Sequence, residues 1–375
     1  MNHQSKRKAN FELMRIISMF FIVINHILDQ KLIVSTYGAT NVVLIIITSL
    51  IRVHVCSYML LTGYFQCKSK FKFSKLISLN NSVWFYNLFY LLILTIFGIC
   101  SLDIVSKLKI ISPISYNDYW YVSLYLILYL ISPILNIIID NISKRKFELI
   151  ILLFITIFSI LPTITGQVFF NNHSGFSLTI FILMYFLGAY IRIYPIKDKI
   201  IFKNISINLF RIIMISGYLF ISVYNVFAYY FGDMILSYGN IFGYIGTIIK
   251  NSVFNYDNPF IIISSVFYFL FFCYVDINSK VISKIGKYTF GIYLVHENPL
   301  IKGFLYNFLG YNKSIYYINV VPKIIIDAII IFVIGLFIEM IRQFIFKFIY
   351  NRNISCKFRN RYRGYLRKIG LNINF

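Results

Sequence analysis

The chain has 375 residues, of which 59% are hydrophobic and 13% charged, with a mean hydropathy of +0.75. A soluble domain must clothe its surface in polar groups, so these values exclude one and predict an all-α, polytopic transmembrane helical bundle. The formal net charge of +23 predicts no nucleic-acid partner, because the basic residues alternate with apolar stretches in the way that fixes membrane topology. Five cysteines stand singly, without the paired spacing of a zinc or redox site, so neither a disulfide framework nor a metal is expected.

Lys6-Arg7-Lys8 precedes an apolar run with no small-residue cleavage site, which reads as a retained first span and not a removed signal peptide. Apolar stretches long enough to cross a bilayer fall at 11–29, 42–65, 79–100, 119–140, 148–166, 176–193, 206–230, 259–276, 286–305 and 321–349. With the N-terminus inside, the inner loops collect Lys68, Lys70, Lys72 and Lys75, then Lys144-Arg145-Lys146, then Arg192, Lys197, Lys199 and Lys203. The outer loops hold only Lys31, Lys107, Lys109, Lys250 and Lys313, with Lys302 at a boundary. That asymmetry predicts ten spans with both termini cytoplasmic. One bundle over residues 1–350 is expected, followed by a basic, aromatic cytoplasmic tail at 351–375 that suits anionic headgroups. The segment 231–258 reads as an outer cap holding a short re-entrant or surface helix, with Gly239 and Gly243 as flexible loop glycines. Ser112-Pro113 marks a loop, Ser132-Pro133 a kink, and Trp120 the interfacial start of the fourth span.

An ionisable side chain facing hydrocarbon costs several kcal/mol, so polar residues within spans mark the bundle interior. The first span carries Glu12, Arg15, Ser18, Asn25, His26 and Asp29 on one helical face. Arg15 and His26 are eleven residues apart, hence within roughly 20° in azimuth and roughly 16 Å along the axis. Glu12 reads as an ion-pair partner of Arg15. Tyr293, His296 and Glu297 share a face of the ninth span, and Arg52 and His54 lie in the second. On a regular helix those last two are about 200° apart, so one faces the cavity and the other snorkels or packs. A buried neutral imidazole at position 26 has a ring nitrogen able to take a proton from a hydroxyl, with Glu297 or a tyrosine to orient it. Glu339 and Arg342, three apart in the last span, read as a structural ion pair.

The stretch Phe11-Glu12-Leu13-Met14-Arg15-Ile16-Ile17-Ser18 followed by Ile24-Asn25-His26 resembles the opening helix of the inner-membrane acyltransferase family 3, with its arginine and histidine separated by ten intervening residues. Met59-Leu60-Leu61-Thr62-Gly63-Tyr64-Phe65 is similar to the family's run closing in Ser-Gly-Tyr. Tyr119-Trp120-Tyr121, Leu130-Ile131-Ser132-Pro133-Ile134-Leu135-Asn136 and Tyr288-Thr289-Phe290-Gly291-Ile292-Tyr293-Leu294-Val295-His296 also resemble segments of these enzymes, in order, across residues 11–296. Where family members place arginines after Gly-Tyr, this chain has lysines, which are point charges without a bidentate fork. The resemblance also implies a multi-pass protein of the bacterial cytoplasmic membrane, and with no appended extracytoplasmic hydrolase-like domain expected after the tail, transfer is expected from the bundle alone or with a separate partner.

The resemblance implies an O-acyltransferase that moves an acyl group, usually acetyl, from cytoplasmic acetyl-CoA to a hydroxyl of a surface glycan or its lipid-linked precursor. It places His26 and Arg15 at the catalytic centre, with His26 deprotonating the acceptor or transiently carrying the acyl group. Arg15 with Lys68, Lys70, Lys72 and Lys75 would hold the donor's phosphates. Tyr293, His296, Glu297, Arg52, His54 and Trp120 would serve the acceptor. Partners are then acyl-CoA, the glycan or lipid-linked glycan, the lipid bilayer and, in a homo-oligomer, a second copy of the chain. A proton-coupled transporter or flippase of glycan-related substrates is the alternative, because it too buries His, Arg and Glu in a helical bundle.

Overall fold

The computed structural model describes residues 8–29, 38–98, 119–167, 173–311 and 320–351. Ser112-Pro113, the loop lysines Lys31, Lys107, Lys109 and Lys313, and the tail from Arg352 lie outside these residues.

The regular structure of the described residues is all helical, with no strand among them. In chain order the helices are α1 (Ala9–Leu28), α2 (Gly38–Ile51), α3 (His54–Gln66), α4 (Phe73–Ile96), α5 (Trp120–Asn141), α6 (Lys144–Thr165) and α7 (Leu178–Ile193). They continue with α8 (Ile207–Leu236), α9 (Asn240–Ser252), α10 (Pro259–Tyr274), α11 (Lys280–Ile285), α12 (Thr289–His296), α13 (Lys302–Phe308) and α14 (Val320–Asn351). Seven helical stretches are long and apolar enough to cross a membrane, namely α1, the α2–α3 pair, α4, α5, α6, α8 and α14. The shorter α7 and α10 are apolar as well.

Helix irregularities trace to identifiable residues. Pro133 lies inside α5 and has no N–H for the carbonyl of Tyr129, and the Ser132 hydroxyl donates to that carbonyl at 2.7 Å instead. In α6 the five-residue π-turn Thr156–Ile160 comes directly before Leu161-Pro162, where a proline would otherwise break the ladder. The apolar stretch at 286–305, expected as one span, is not one helix. It ends at His296, because the residue before Pro299 is disfavoured from helix and the Asn298 side chain caps the break by accepting from the Leu300 N–H at 3.0 Å.

Two helix crossings depend on glycine. A Cβ on Gly63 of α3 would overlap the Tyr185 backbone of α7, and one on Gly188 of α7 would overlap the Leu60 carbonyl of α3, so these backbones meet directly, as small-residue crossings in membranes do. The segment 231–258 is also helical, in the form of α9. The reading of its glycines as flexible loop residues is corrected: a Cβ on Gly246 would lie 2.6 Å from the Gly232 carbonyl oxygen of α8. Gly243 and Gly246 are thus buried contact points between α9 and α8. Only Gly239, with φ +68°, performs a turn.

Buried apolar side chains form two clusters. One is built on α3, α5, α7 and α10 and the other on α1, α4, α12 and α14, and residues of α1 belong to both. The cavity described below opens beside α1, where the clusters adjoin.

Candidate active site

A cavity of about 930 Å³ runs along α1 and is lined from that helix by Phe11, Glu12, Arg15, Met19, Ile22, Asn25, His26 and Asp29. The three- and four-residue spacing follows from the helical repeat. Arg15 and His26 therefore share one cavity, as their spacing predicts. Ser18 departs from the expected stripe: it is fully buried and its hydroxyl faces Tyr268 Oη at 3.5 Å.

At one end of the cavity stand Asn25, His26, His54, Trp120, Tyr256, Tyr293 and Glu297. His26 Nδ1 lies 3.0 Å from His296 Nε2 and 3.3 Å from Glu297 Oε1. His296 Nδ1 sits 2.7 Å from the Ile292 carbonyl oxygen. A carbonyl only accepts, so the proton of His296 is on Nδ1 and its Nε2 is an acceptor. Both neighbours of His26 Nδ1 are then acceptors, which assigns its proton to Nδ1 and leaves the ring's lone pair on Nε2. His296 is completely buried and does not line the cavity, contrary to the expectation that it meets the acceptor: it stands behind His26. Tyr293 and Glu297 do line it. Glu297 also accepts from the Tyr306 hydroxyl at 3.4 Å and approaches Lys302 Nζ at 3.8 Å. One ligand atom each from His26, His296 and Glu297 lie within 4.8 Å of one another, so these three are the described residues that could hold a metal ion.

The second span corrects the helical-wheel argument for Arg52 and His54. The helix is interrupted at Arg52-Val53, so the 200° separation does not apply and both side chains reach Tyr256. Arg52 stacks its guanidinium 4.3 Å from the Tyr256 ring centre, donates from Nε to the Phe254 carbonyl at 2.5 Å and from Nη1 to Asn25 Oδ1 at 2.9 Å. His54 holds its Nδ1 2.6 Å from the Ile51 carbonyl, and its Nε2 accepts from the Tyr256 hydroxyl at 2.9 Å. His54 reaches the cavity wall, whereas Arg52 braces α1 and the 254–256 loop from behind. Trp120 is turned into the protein, 4.6 Å from Phe176 and stacked on Tyr256 at 6.4 Å, so it belongs to the cavity and not to an interfacial belt.

The other end is basic. Lys8, Arg15, Lys68, Lys75, Arg192 and Lys287 line it, with Glu12 as the carboxylate among them. Arg15 Nη1 donates to Glu12, the ion pair expected from their spacing. Lys75 lies 4.4 Å from the Tyr129 ring centre and Lys68 is 3.6 Å from Asp140. Lys70 and Lys72 do not reach the wall. The Lys72 backbone instead caps the start of α4 and pairs with the Tyr129 hydroxyl. Sequence reasoning counted Lys8 and Arg192 only among the basic flanks of the spans, and it missed Lys287 together with Tyr58, Tyr121, Tyr125 and Tyr256, which form much of the wall.

A family model for the acyltransferase domain matches residues 8–341. The chain belongs to acyltransferase family 3. No curated protein and no solved structure matches the chain. Its membership makes it an acyltransferase built on membrane-spanning helices, and the match runs through every cavity-lining residue from Lys8 to Glu297.

Proposed function

We propose that this acyltransferase moves an acyl group, acetyl in the simplest case, from cytoplasmic acyl-CoA to a hydroxyl of a cell-surface polysaccharide or its lipid-linked precursor. The observation that carries the reading is one cavity joining a cationic mouth to an imidazole whose Nδ1 is held by two acceptors. A highly charged donor needs the mouth, and a hydroxyl acceptor needs the base.

The basic end is the cytoplasmic end in this reading, in a ten-span arrangement with α11–α13 forming a broken ninth crossing. Lys8 and Asp29 both line the cavity and are 21 residues apart, about 31 Å on a helix, the thickness of a bilayer core. The donor's phosphates would stay at the mouth while the pantetheine arm runs past Arg15 toward His26. The acceptor would enter from the other end, among Asn25, Asp29, Trp120, Tyr256, Tyr293 and Glu297.

His26 Nε2 takes the hydroxyl proton as the acceptor oxygen attacks the thioester carbon. The C–S bond then breaks, and the imidazolium returns the proton to the departing thiolate, so the products are ester and free CoA. Glu297 beside Nδ1 offsets the positive charge that His26 carries between the two transfers. The test is a His26→Ala chain at unaltered membrane abundance, with acetyl signals of the surface polysaccharide measured by NMR. Loss of those signals supports the reading, and unchanged acetylation defeats it.

A further inference from the structure

Charges at the cavity mouth are unequally committed. Arg15 is held by Glu12, Lys68 stands by Asp140 and Lys75 lies over a tyrosine ring. Arg192, in the last turn of α7, meets only neutral groups: its Nη1 donates to the Tyr64 hydroxyl at 3.2 Å and its guanidinium carbon is 5.0 Å from the same ring's centre. Among the described residues no carboxylate pairs with Arg192, Lys8 or Lys287, yet all three line the cavity.

The placement of Arg192 follows from a helix crossing. Tyr64 follows Gly63, and Arg192 lies one turn beyond Gly188, the two glycines at which α3 and α7 touch backbone to backbone. The crossing that fixes the helices therefore seats the guanidinium on Tyr64. A planar fork that rests on a tyrosine ring, is always charged and faces a cavity can bind a phosphate with two parallel hydrogen bonds. Lysine ammonium groups at the same mouth add charge without that geometry.

We propose that Arg192, seated on Tyr64 and flanked by Lys8 and Lys287, binds a phosphate group of the acyl-CoA donor and sets the donor's affinity. This rests on the reading of the cavity as an acyl-CoA site. The same chemistry would suit an anionic lipid headgroup, and the test separates the two sources.

The full chain, in nanodiscs of zwitterionic lipid, is titrated calorimetrically with CoA and with pantetheine, which keeps the thiol arm and lacks every phosphate of the nucleotide. Wild type is expected to bind CoA the more tightly. Arg192→Gln should weaken CoA binding by about tenfold to a hundredfold and leave pantetheine binding unchanged, and Arg192→Lys should recover only a minor part. Unaltered CoA affinity in Arg192→Gln would overturn the proposal, as would an equal loss for both ligands, which signifies distorted packing. An affinity that follows anionic lipid content and not the ligand's phosphates would assign the guanidinium to headgroups, also against it. If His26→Ala abolishes transfer while Arg192→Gln binds CoA like wild type, the phosphate assignment fails alone. If wild type does not bind CoA, the donor reading fails with it.

Discussion

Two ring nitrogens determine what His26 can do. Its Nδ1 faces His296 Nε2 and a Glu297 oxygen, so in the proposed mechanism Nε2 is the base and the two neighbours act by holding one tautomer. His296→Phe removes an acceptor while keeping a buried ring. It is expected to lower kcat about tenfold or more with little change in the KM for acyl-CoA, whereas a rise in KM at constant kcat would place His296 in donor binding instead. Outside the spans, burial raises the Asp257 carboxyl to about 6. A carboxyl with a folded value above its unfolded one costs stability as pH rises, from nothing at acid pH to the full amount above about 6. Asp257→Asn should therefore raise the thermal midpoint at pH 7.5 and change it little at pH 4, and an equal shift at both pH values would contradict this. Arg15 and His26 were legible in the sequence because α1 is one regular helix and an eleven-residue separation returns to the same face. Arg52 and His54 were not, because the break at Arg52-Val53 is secured by Phe254 and Tyr256, two hundred residues away, and no local rule contains that contact.

At the scale of elements, the α3–α7 crossing and the foot of α14 carry the arrangement. Gly63→Ala brings a Cβ into the Tyr185 backbone and not into a flexible side chain, so relief requires the helices to part. The expected cost is at or above about 1–3 kcal/mol, the usual range for overpacking, read as a lowered midpoint in detergent and reduced membrane abundance, and an unchanged midpoint would mean that the helices slide freely. Glu339 receives Arg342 through two bonds of 2.7 and 2.6 Å, the Tyr86 hydroxyl at 2.5 Å and Gln343 at 2.7 Å. Breaking such a buried pair from one side costs about 3–5 kcal/mol, so Glu339→Leu should destabilise strongly, while Gln343→Ala, which leaves the pair intact, should cost far less. The Glu339–Arg342 pair was readable from a three-residue spacing. The role of the Gly243 region was not, because GxxxG looks the same whether its glycines flex in a loop or meet a neighbouring helix. The broken ninth stretch did carry its signal, in Asn298-Pro299, but high apolar content outweighed it.

Across the whole molecule, the charges of the cavity wall are segregated apart from Glu12, which is paired with Arg15. Six cations gather at one end, and at the other Asp29 and Glu297 stand near His26. In the proposed reading, a chain with a net charge of +23 devotes its surplus partly to topology and, at this mouth, to a binding surface. The even count of apolar stretches and their lysine asymmetry made the helical class plain. The cavity itself was beyond reach of the sequence, since tyrosines from α3, α5, α12 and the 254–256 loop form its wall and nothing local brings them together. The central claim is that a hydroxyl acceptor meets an acyl-CoA thioester beside His26. Its most direct test uses inside-out membrane vesicles given CoA carrying a radiolabelled acetyl group, with label counted in the glycan fraction for wild type and His26→Ala at equal protein. The account predicts label in the wild-type glycan and a fall of at least about a hundredfold in the variant. Equal labelling in both would contradict it.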